Sequence, residues 1–246
     1  AIRAGIIGGV GWRGVLAAGA DLAWGGSCAG CQCPGPVLCH TCAESLRQLP
    51  ITPVAVRAGV PHTVSRGDYA DRLRAVILAC KERQGLTLAP ILAELAVGSA
   101  VSLLLQRWDG RPLRVVPVPS AAAALAERGF DLTGMIATRV VRTLRRQRLD
   151  VAAWSGLRQV RRAHDQAGLS VAERQRNRRA SLAARPGPPV AVLLVDDIIT
   201  AGATLAEAQR ALTRGGHAVL GAAVVAATRR TAAPGEAGAH GERGPE

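Results

Sequence analysis

Two adjacent carboxylates, Asp196 and Asp197, stand between a short apolar run and a stretch of small residues. The apolar run, residues 190–195, is too short for a helix of ordinary length and is rich in β-branched side chains, which predicts a strand buried on both faces. The small residues at 200–204 are followed by apolar residues with helical spacing, namely Leu205, Ala208 and Leu212. We therefore expect a strand that ends at the acid pair, then a loop, then a helix.

The loop has the composition of an anion site. Backbone N–H groups at a helix N-terminus carry about half a positive charge, and small side chains let a phosphate approach them closely. Two carboxylates beside a phosphate would repel each other, so they need sugar hydroxyls or a Mg²⁺ ion. The stretch thus predicts a ribose 5-phosphate ligand, and the predicted phosphate-binding residues are Thr200, Ala201, Gly202, Ala203 and Thr204.

Other anion-binding patterns do not fit this stretch. A Walker loop needs a Lys after its last glycine, whereas Ala203 follows Gly202. The dinucleotide fingerprint needs three spaced glycines, and an Asp-x-Asp phosphatase would need a carboxylate at Ile198. An ordinary strand–helix unit with a capped helix remains the structural alternative.

Cysteines near the N-terminal end form two Cys-x-x-Cys pairs, and these four residues are Cys28, Cys31, Cys39 and Cys42. Two such pairs can close a tetrahedral zinc site, and four protein ligands indicate structural rather than catalytic zinc. Cys33 is a surplus thiol and His40 a possible substitute ligand, so the identity of one ligand stays open. Cys80 lies on an apolar helical face and is expected to be buried.

Composition sets the broad class. The chain has 246 residues, 48% of them hydrophobic but only 2% aromatic, which is enough for one domain and a small appendage. A net charge of +13 favours polyanionic partners without choosing among them. No run of 18 apolar residues occurs, and the cysteines are closely spaced without an export signal, so we expect a cytoplasmic protein with no membrane span.

The remaining elements follow from periodicity. Apolar spacing predicts helices over 71–80, over 88–104 and from Leu132 to Leu144, and strands over 114–119 and 218–227. Residues 158–179 are highly charged and are expected to form a mobile loop and then a short helix. We divide the chain into a lead-in (1–22), a zinc segment (23–58), a main domain (59–230) and a disordered tail (231–246).

Several motifs, in this order along the chain, resemble the ComF family, which includes competence proteins of the ComFC type and GntX-like proteins. The motifs are the four cysteines, Tyr69 with Lys81-Glu82-Arg83, Pro117-Val118-Pro119, Glu127-Arg128-Gly129-Phe130, Gln166 to Ser170 with Glu173, Arg174 and Asn177, and the acid-pair loop. The resemblance implies a zinc ribbon joined to a type I phosphoribosyltransferase fold, a mostly parallel sheet with helices on both faces. It also implies a link to the uptake of transforming DNA.

The resemblance implies roles for particular residues. Asp196 and Asp197 would bind the ribose hydroxyls of phosphoribosyl pyrophosphate (PRPP), directly or through Mg²⁺, and pyrophosphate would leave toward Pro119 and Ser120. Lys81 and Arg128 would also contact PRPP. Three departures weaken catalysis: Ala201 in place of a Thr, the cation-free residues 120–125, and an acidic Asp131.

Two other functions stay open. The chain could be a module that binds single-stranded DNA without catalysis, for which the candidate residues are Arg161, Arg162, Arg174 and Arg178. It could also be a regulator that senses PRPP. Proteins of DNA uptake and a second copy of the chain are among the expected partners.

Overall fold

The computed structural model describes residues 26–82, 85–120, 122–160 and 181–228. The helices in these ranges are α1 (His40–Arg47), α2 (Asp71–Glu82), α3 (Gly85–Arg107), α4 (Ala122–Arg128), α5 (Leu132–Arg145) and α6 (Ala203–Arg214). The strands are β1 (Thr52–Val54), β2 (Thr63–Ser65), β3 (Leu113–Pro117), β4 (Val151–Ala153), β5 (Leu157–Gln159), β6 (Leu182–Ala184), β7 (Ala191–Ile199) and β8 (Ala218–Ala227).

Six of these strands form one sheet, in the order β1-β2-β8-β7-β3-β4. Every neighbouring pair is parallel except β1 and β2, which are antiparallel. The two outermost strands of the sheet are short, whereas β7 and β8 at its centre are the longest. The predicted mixed α/β fold with a mostly parallel sheet is confirmed.

Helices cover both faces of this sheet. Leu193 and Val195 of β7 belong to the cluster of buried side chains that includes α2, α3 and α5. Val192 and Leu194, which point the other way, pack in a second cluster with α6. All four side chains are fully buried, and burying each stabilises the fold by about 1.5–3 kcal/mol. This is why the strand is almost continuously apolar rather than alternating.

The central strand is longer than the sequence predicts. We expected it to end at the acid pair, but β7 continues through both aspartates to Ile199. The cause is its partner, because Asp196, Ile198 and Ile199 stay in register with the equally long β8. The two carboxylates therefore lie on the last part of a strand and not in the loop after it.

A second correction concerns the charged segment that we expected to begin as a loop at Arg158. Its first residues form β5, which pairs antiparallel with β6. The backbone of Leu182 in β6 is fixed to α6, since its N–H donates to Glu207 Oε1 (3.0 Å) and its carbonyl accepts from Arg210 Nη2 (3.0 Å). The short helix expected in that segment, after Ser170, lies outside the described residues.

Helix α3 is apolar along nearly its whole length. Within the described ranges it alone is long and apolar enough to cross a membrane, yet 67% of its most apolar window is buried inside the protein. It packs against α5 and β8, as the central helix of a core does. Burial within the fold explains its composition.

The cysteine-rich segment shares this core. Ala29, Val37 and Leu46 belong to the same buried cluster as α2 and α3. Arg47 at the end of α1 makes a two-point ion pair with Glu94 of α3, at 2.9 and 3.3 Å. The segment is thus packed onto the two helices that precede β3.

Candidate functional site

Several of the residues predicted to bind PRPP lie at the edge of the sheet where the parallel strands end. Val118 N donates to Val195 O at 2.9 Å, so Pro119 and Ser120 begin beside Asp196. On the other side, Tyr69 N donates to Ala227 O at the end of β8 (2.7 Å). In open α/β sheets, ligands bind in the crevice outside these carboxyl ends.

Lys81 joins the acid pair directly. Its ammonium lies 2.6 Å from Asp197 Oδ2, with both side chains mostly shielded from solvent (28% and 13% exposed). The lysine comes from the last turn of α2, where it would favour the helix dipole in any case. The structure shows that it also neutralises one of the two carboxylates, which sequence spacing alone could not establish.

The ionised form of Asp196 is disfavoured by its surroundings. Burial, and then the neighbouring Asp197 carboxylate, raise the pKa of Asp196 well above its usual range, although Lys81 and the Asp197 amide act in the opposite direction. That amide donates to Asp196 Oδ1 at 2.8 Å. A site with two carboxylates and one cation favours a further positive charge or hydroxyl donors, and carboxylate oxygens suit Mg²⁺, which takes one or two of them and completes its shell with phosphates and water.

Gly202 shapes the turn between β7 and α6. It has a left-handed backbone (φ 72°, ψ 10°) and stands at the N-cap position of α6. Any larger residue at position 202 would also place its Cβ 3.0 Å from both methyl groups of Val60. Thr200, Ala201 and Thr204 are exposed around it. Because the first N–H groups of a helix have no partner within the helix, this turn can hold a phosphate.

The turn after β3, toward which pyrophosphate is expected to leave, is short. Helix α4 already begins at Ala122, so the small residues are mostly helical. Ser120 O accepts a hydrogen bond from Gln159 Nε2 at 3.3 Å, which brings β5 beside the site. Asp131, whose charge we expected to weaken the site, instead caps α5, where its Oδ1 accepts from Gly134 N (3.1 Å) and Thr133 Oγ1 (2.9 Å).

A cavity of about 290 Å³ opens next to Lys81. Its lining residues are Cys80, Lys81, Glu82, Gly85, Leu86, Thr87, Arg128 and Phe130. The sequence singles out Lys81 and Arg128 separately but gives no sign that they share a cavity, since the turn after α4 and the α2–α3 connection meet only in the fold. Cys80 is buried, as predicted.

The four predicted zinc ligands form one cluster. The Sγ atoms of Cys28, Cys31, Cys39 and Cys42 all lie within 4.8 Å of one another. Burial alone would raise the pKa of Cys28, but N–H groups, foremost that of Cys39, lower it to about 6. Burial and the neighbouring thiols raise the pKa of Cys42 to about 12. Four sulfur ligands in such a cluster fit zinc, whose charge would keep all of them deprotonated.

The two other candidates for the fourth ligand lie apart from the four-cysteine cluster. Cys33 is exposed, and its Sγ approaches only the Cys31 carbonyl, at 3.9 Å. His40 is exposed as the first residue of α1 and is not part of the cluster. The candidate DNA-binding residues Arg161, Arg162, Arg174 and Arg178 lie outside the described residues, so their role stays a prediction.

No protein-family profile matches the chain, and no curated protein matches it. Among solved structures, UMP synthase of Leishmania donovani aligns with a TM-score of 0.34 and 15% identity, over 76% of this chain and 31% of that one. Orotate phosphoribosyltransferase from Aeropyrum pernix aligns with a TM-score of 0.31 and 14% identity, over 76% of this chain and 92% of that one. At these low TM-scores neither likeness carries a conclusion about function.

Replacing Cys39 by Ser separates metal binding from helix capping. Cys39 is the N-cap of α1, and serine is a good N-cap, so the substitution removes a thiolate but keeps the cap. We expect Cys39→Ser to lose bound zinc and to lower Tm by at least about 5 °C, because the segment shares the main core. Metal analysis and thermal melts test this. Cys33→Ser is the control, and equal zinc in both variants would contradict the cluster.

Asp196→Asn should stabilise the ligand-free protein at neutral pH. An acid whose pKa is raised by folding penalises the folded state as pH rises above its unfolded value, so removing the charge helps at pH 7–8 and has little effect near pH 4. We expect Tm to rise by about 2–4 °C for each kcal/mol by which the substitution raises the free energy of unfolding. Melts in magnesium-free buffer across this pH range measure it, with the exposed Asp109→Asn as control. A lower Tm at neutral pH would contradict the view that the charged form of Asp196 destabilises the ligand-free protein.

Gly202→Ala should damage the turn in two ways. A left-handed alanine costs roughly 1–2 kcal/mol, and its Cβ would press on Val60. We expect chemical unfolding to show a loss of this size in the free energy of unfolding. We also expect phosphate-containing ligands to bind more weakly. Val60→Ala relieves the contact but also removes buried methyl groups, so the double variant is compared with Val60→Ala alone and should show a smaller loss than Gly202→Ala does in the unaltered protein. If Gly202→Ala cost nothing in the Val60→Ala background, in stability or in ligand binding, the left-handed backbone would not be required.

Proposed function

We propose that this protein binds PRPP, or another ribose 5-phosphate group, with Mg²⁺ at the carboxyl edge of its sheet. One observation carries the proposal: an acid pair with surplus charge and a left-handed glycine turn follow each other at the end of one buried strand. The turn offers N–H donors to a terminal phosphate. The acid pair offers acceptors to the hydroxyls of the same sugar.

The charged and polar groups of the site match different parts of such a ligand. Asp196 and Asp197 accept hydrogen bonds from ribose hydroxyls or hold Mg²⁺, and each charge-assisted bond contributes about 1.5–3 kcal/mol. Thr200 and Thr204 add hydroxyls around the phosphate turn. The cationic groups of Lys81 and Arg128 line the cavity, and no residue of the phosphate turn does. A ligand that is anionic at both ends with a diol between them matches this order.

Phosphoribosyl transfer is the finer proposal. The nucleophilic atom of an acceptor would donate an electron pair to the anomeric carbon, and the C–O bond to pyrophosphate would break, with pyrophosphate leaving with that bond's electrons. A proton on the attacking atom would pass to water or to pyrophosphate. Bound Mg²⁺ would supply charge neutralisation for the leaving group. The acid pair would hold the sugar in place during this step.

Membership of the ComF family, and with it a role in DNA uptake, is proposed from the sequence motifs alone. The four-cysteine cluster supports the same reading, because it lies ahead of the sheet as a zinc ribbon would. Transfer to a base, or to a nucleic-acid end, would serve such a role.

PRPP sensing without catalysis is a second candidate, and the turn after β3 favours it. Residues 118–120 pass at once into the alanine-rich α4, which puts no cation next to that turn until Arg128. Poor charge compensation there would slow the departure of pyrophosphate while leaving PRPP binding intact.

Calorimetry with PRPP and Mg²⁺ tests the binding proposal. Replacing both acids, Asp196→Asn with Asp197→Asn, should weaken PRPP binding by about 100-fold, since two charge-assisted contacts are lost. Asp109→Asn, an exposed acid paired with Arg111, is the control and should bind as the unaltered protein does. Unchanged affinity in the double variant would overturn the ribose assignment. Pyrophosphate release with a panel of bases then separates transfer from sensing.

A further inference from the structure

The cavity beside Lys81 is built from three separate parts of the chain. The end of α2 supplies Lys81 and Glu82, and the start of α3 supplies Thr87. The end of α4 supplies Arg128, and the turn after it supplies Phe130. Its volume of about 290 Å³ suits a group the size of a small ring or a pyrophosphate. The cavity does not include the acid pair, but Lys81 belongs to both places.

We propose that this cavity is an anion-binding subsite whose affinity depends on what occupies the acid pair. The proposal deepens the PRPP-binding function and rests on it. The anion is either the pyrophosphate end of PRPP or an acidic group on the acceptor. In both cases Arg128 and Lys81 are the residues that bind it.

Arg128 is the fixed cation of the subsite. Its Nε donates to Ala124 O at 2.9 Å, which anchors the guanidinium at the end of α4. Within the described part of the chain, its terminal nitrogens make no ion pair, so they can bind an anion at two points. The exposed carboxylate of Glu82 is the single acid in the lining, against two cations.

Lys81 is the exchangeable cation. In the ligand-free protein it neutralises Asp197 at 2.6 Å. A Mg²⁺ ion or a ribose hydroxyl that engages Asp197 competes with this ion pair and releases the ammonium. The side chain already lines the cavity, so the released charge adds to that of Arg128. Occupation of the acid pair thus strengthens anion binding in the cavity.

Phe130 gives the subsite an apolar wall. Its ring lies directly against the backbone of Gly85, where any Cβ would collide with it. The ring is partly exposed and faces the same cavity as Leu86 and Thr87. A flat acceptor that carries an acidic group could lie on this ring, whereas pyrophosphate would gain nothing from it.

Two probe anions locate and identify the subsite. We expect zinc-loaded protein to bind inorganic pyrophosphate, benzoate or both by calorimetry, and Arg128→Gln to weaken that binding about tenfold. Arg142→Gln removes the same charge from the exposed face of α5 and is the matched control. Benzoate binding that Phe130→Leu abolishes assigns the subsite to the acceptor, and pyrophosphate binding alone assigns it to PRPP. No binding of either anion, or equal loss in both arginine variants, overturns the proposal.

Mn²⁺ alone tests the exchange at Asp197. Lys81→Met should bind Mn²⁺ about tenfold more tightly than the unaltered protein, because the competing ammonium is gone, and should bind the probe anion more weakly. In the unaltered protein, Mn²⁺ should strengthen the binding of benzoate or pyrophosphate, after correction for the Mn²⁺ that the free anion binds in solution. In Lys81→Met this strengthening should be absent. Unchanged Mn²⁺ affinity overturns the coupling. Gly202→Ala distinguishes the two proposals, since it impairs the phosphate turn and should leave the cavity anion bound.

Discussion

The rest of the site depends on one constraint: two carboxylates are held at the end of a buried strand, and a single ammonium, that of Lys81, pairs with one of them. The strand cannot place Asp196 and Asp197 elsewhere, because its apolar residues are fixed between two layers of helices and its last residues are paired with β8. Burial, and then the neighbouring Asp197 carboxylate, raise the pKa of Asp196, so the ionised pair is disfavoured in the ligand-free protein. A fold that retains such a cost leaves the remainder of the compensation to a ligand.

The same strand also determines where the ligand's phosphate must lie. After Ile199 the chain has to leave the sheet and begin α6 within a few residues, and the left-handed Gly202 makes this turn possible. The helix then begins with its free N–H groups at the sheet edge. Acid pair and phosphate turn are therefore consequences of one short connection, which is why a single stretch of sequence predicts both.

The sequence predicts this fold best where one segment decides its own structure. The apolar run in β7, the helical spacing in α5 and the strand over 218–227 depend on local pattern, and the structure confirms all three. The end of β7 was predicted too early, because a polar residue such as Asp196 stays in a strand when its neighbour is long enough to pair with it. Strand β5 was missed for the same reason, since its partner β6 lies beyond residue 180.

Contacts between distant segments are what local pattern cannot supply. Lys81 and Asp197 are separated by most of the main domain, and each alone has an ordinary explanation, as a helix-dipole partner or as part of an acid pair. The fourth zinc ligand was ambiguous in sequence because five cysteines and a histidine are close together, and only the positions of the sulfur atoms decide among them.

The cysteine segment has a physical connection to the site through the helix that carries Lys81. Helix α1 contacts both α2 and α3, and Arg72 of α2 donates to Ser45 of α1 at 3.2 Å. Helix α2 is held mainly by the core, in which Leu73, Val76 and Ile77 are buried, and its last residues line the cavity. A metal that fixed the cysteine segment would thereby support one side of α2, while α3 packs on another. Lys81 stands at the end of this same helix, so the helix that contacts the cysteine segment also carries the cation of the acid pair.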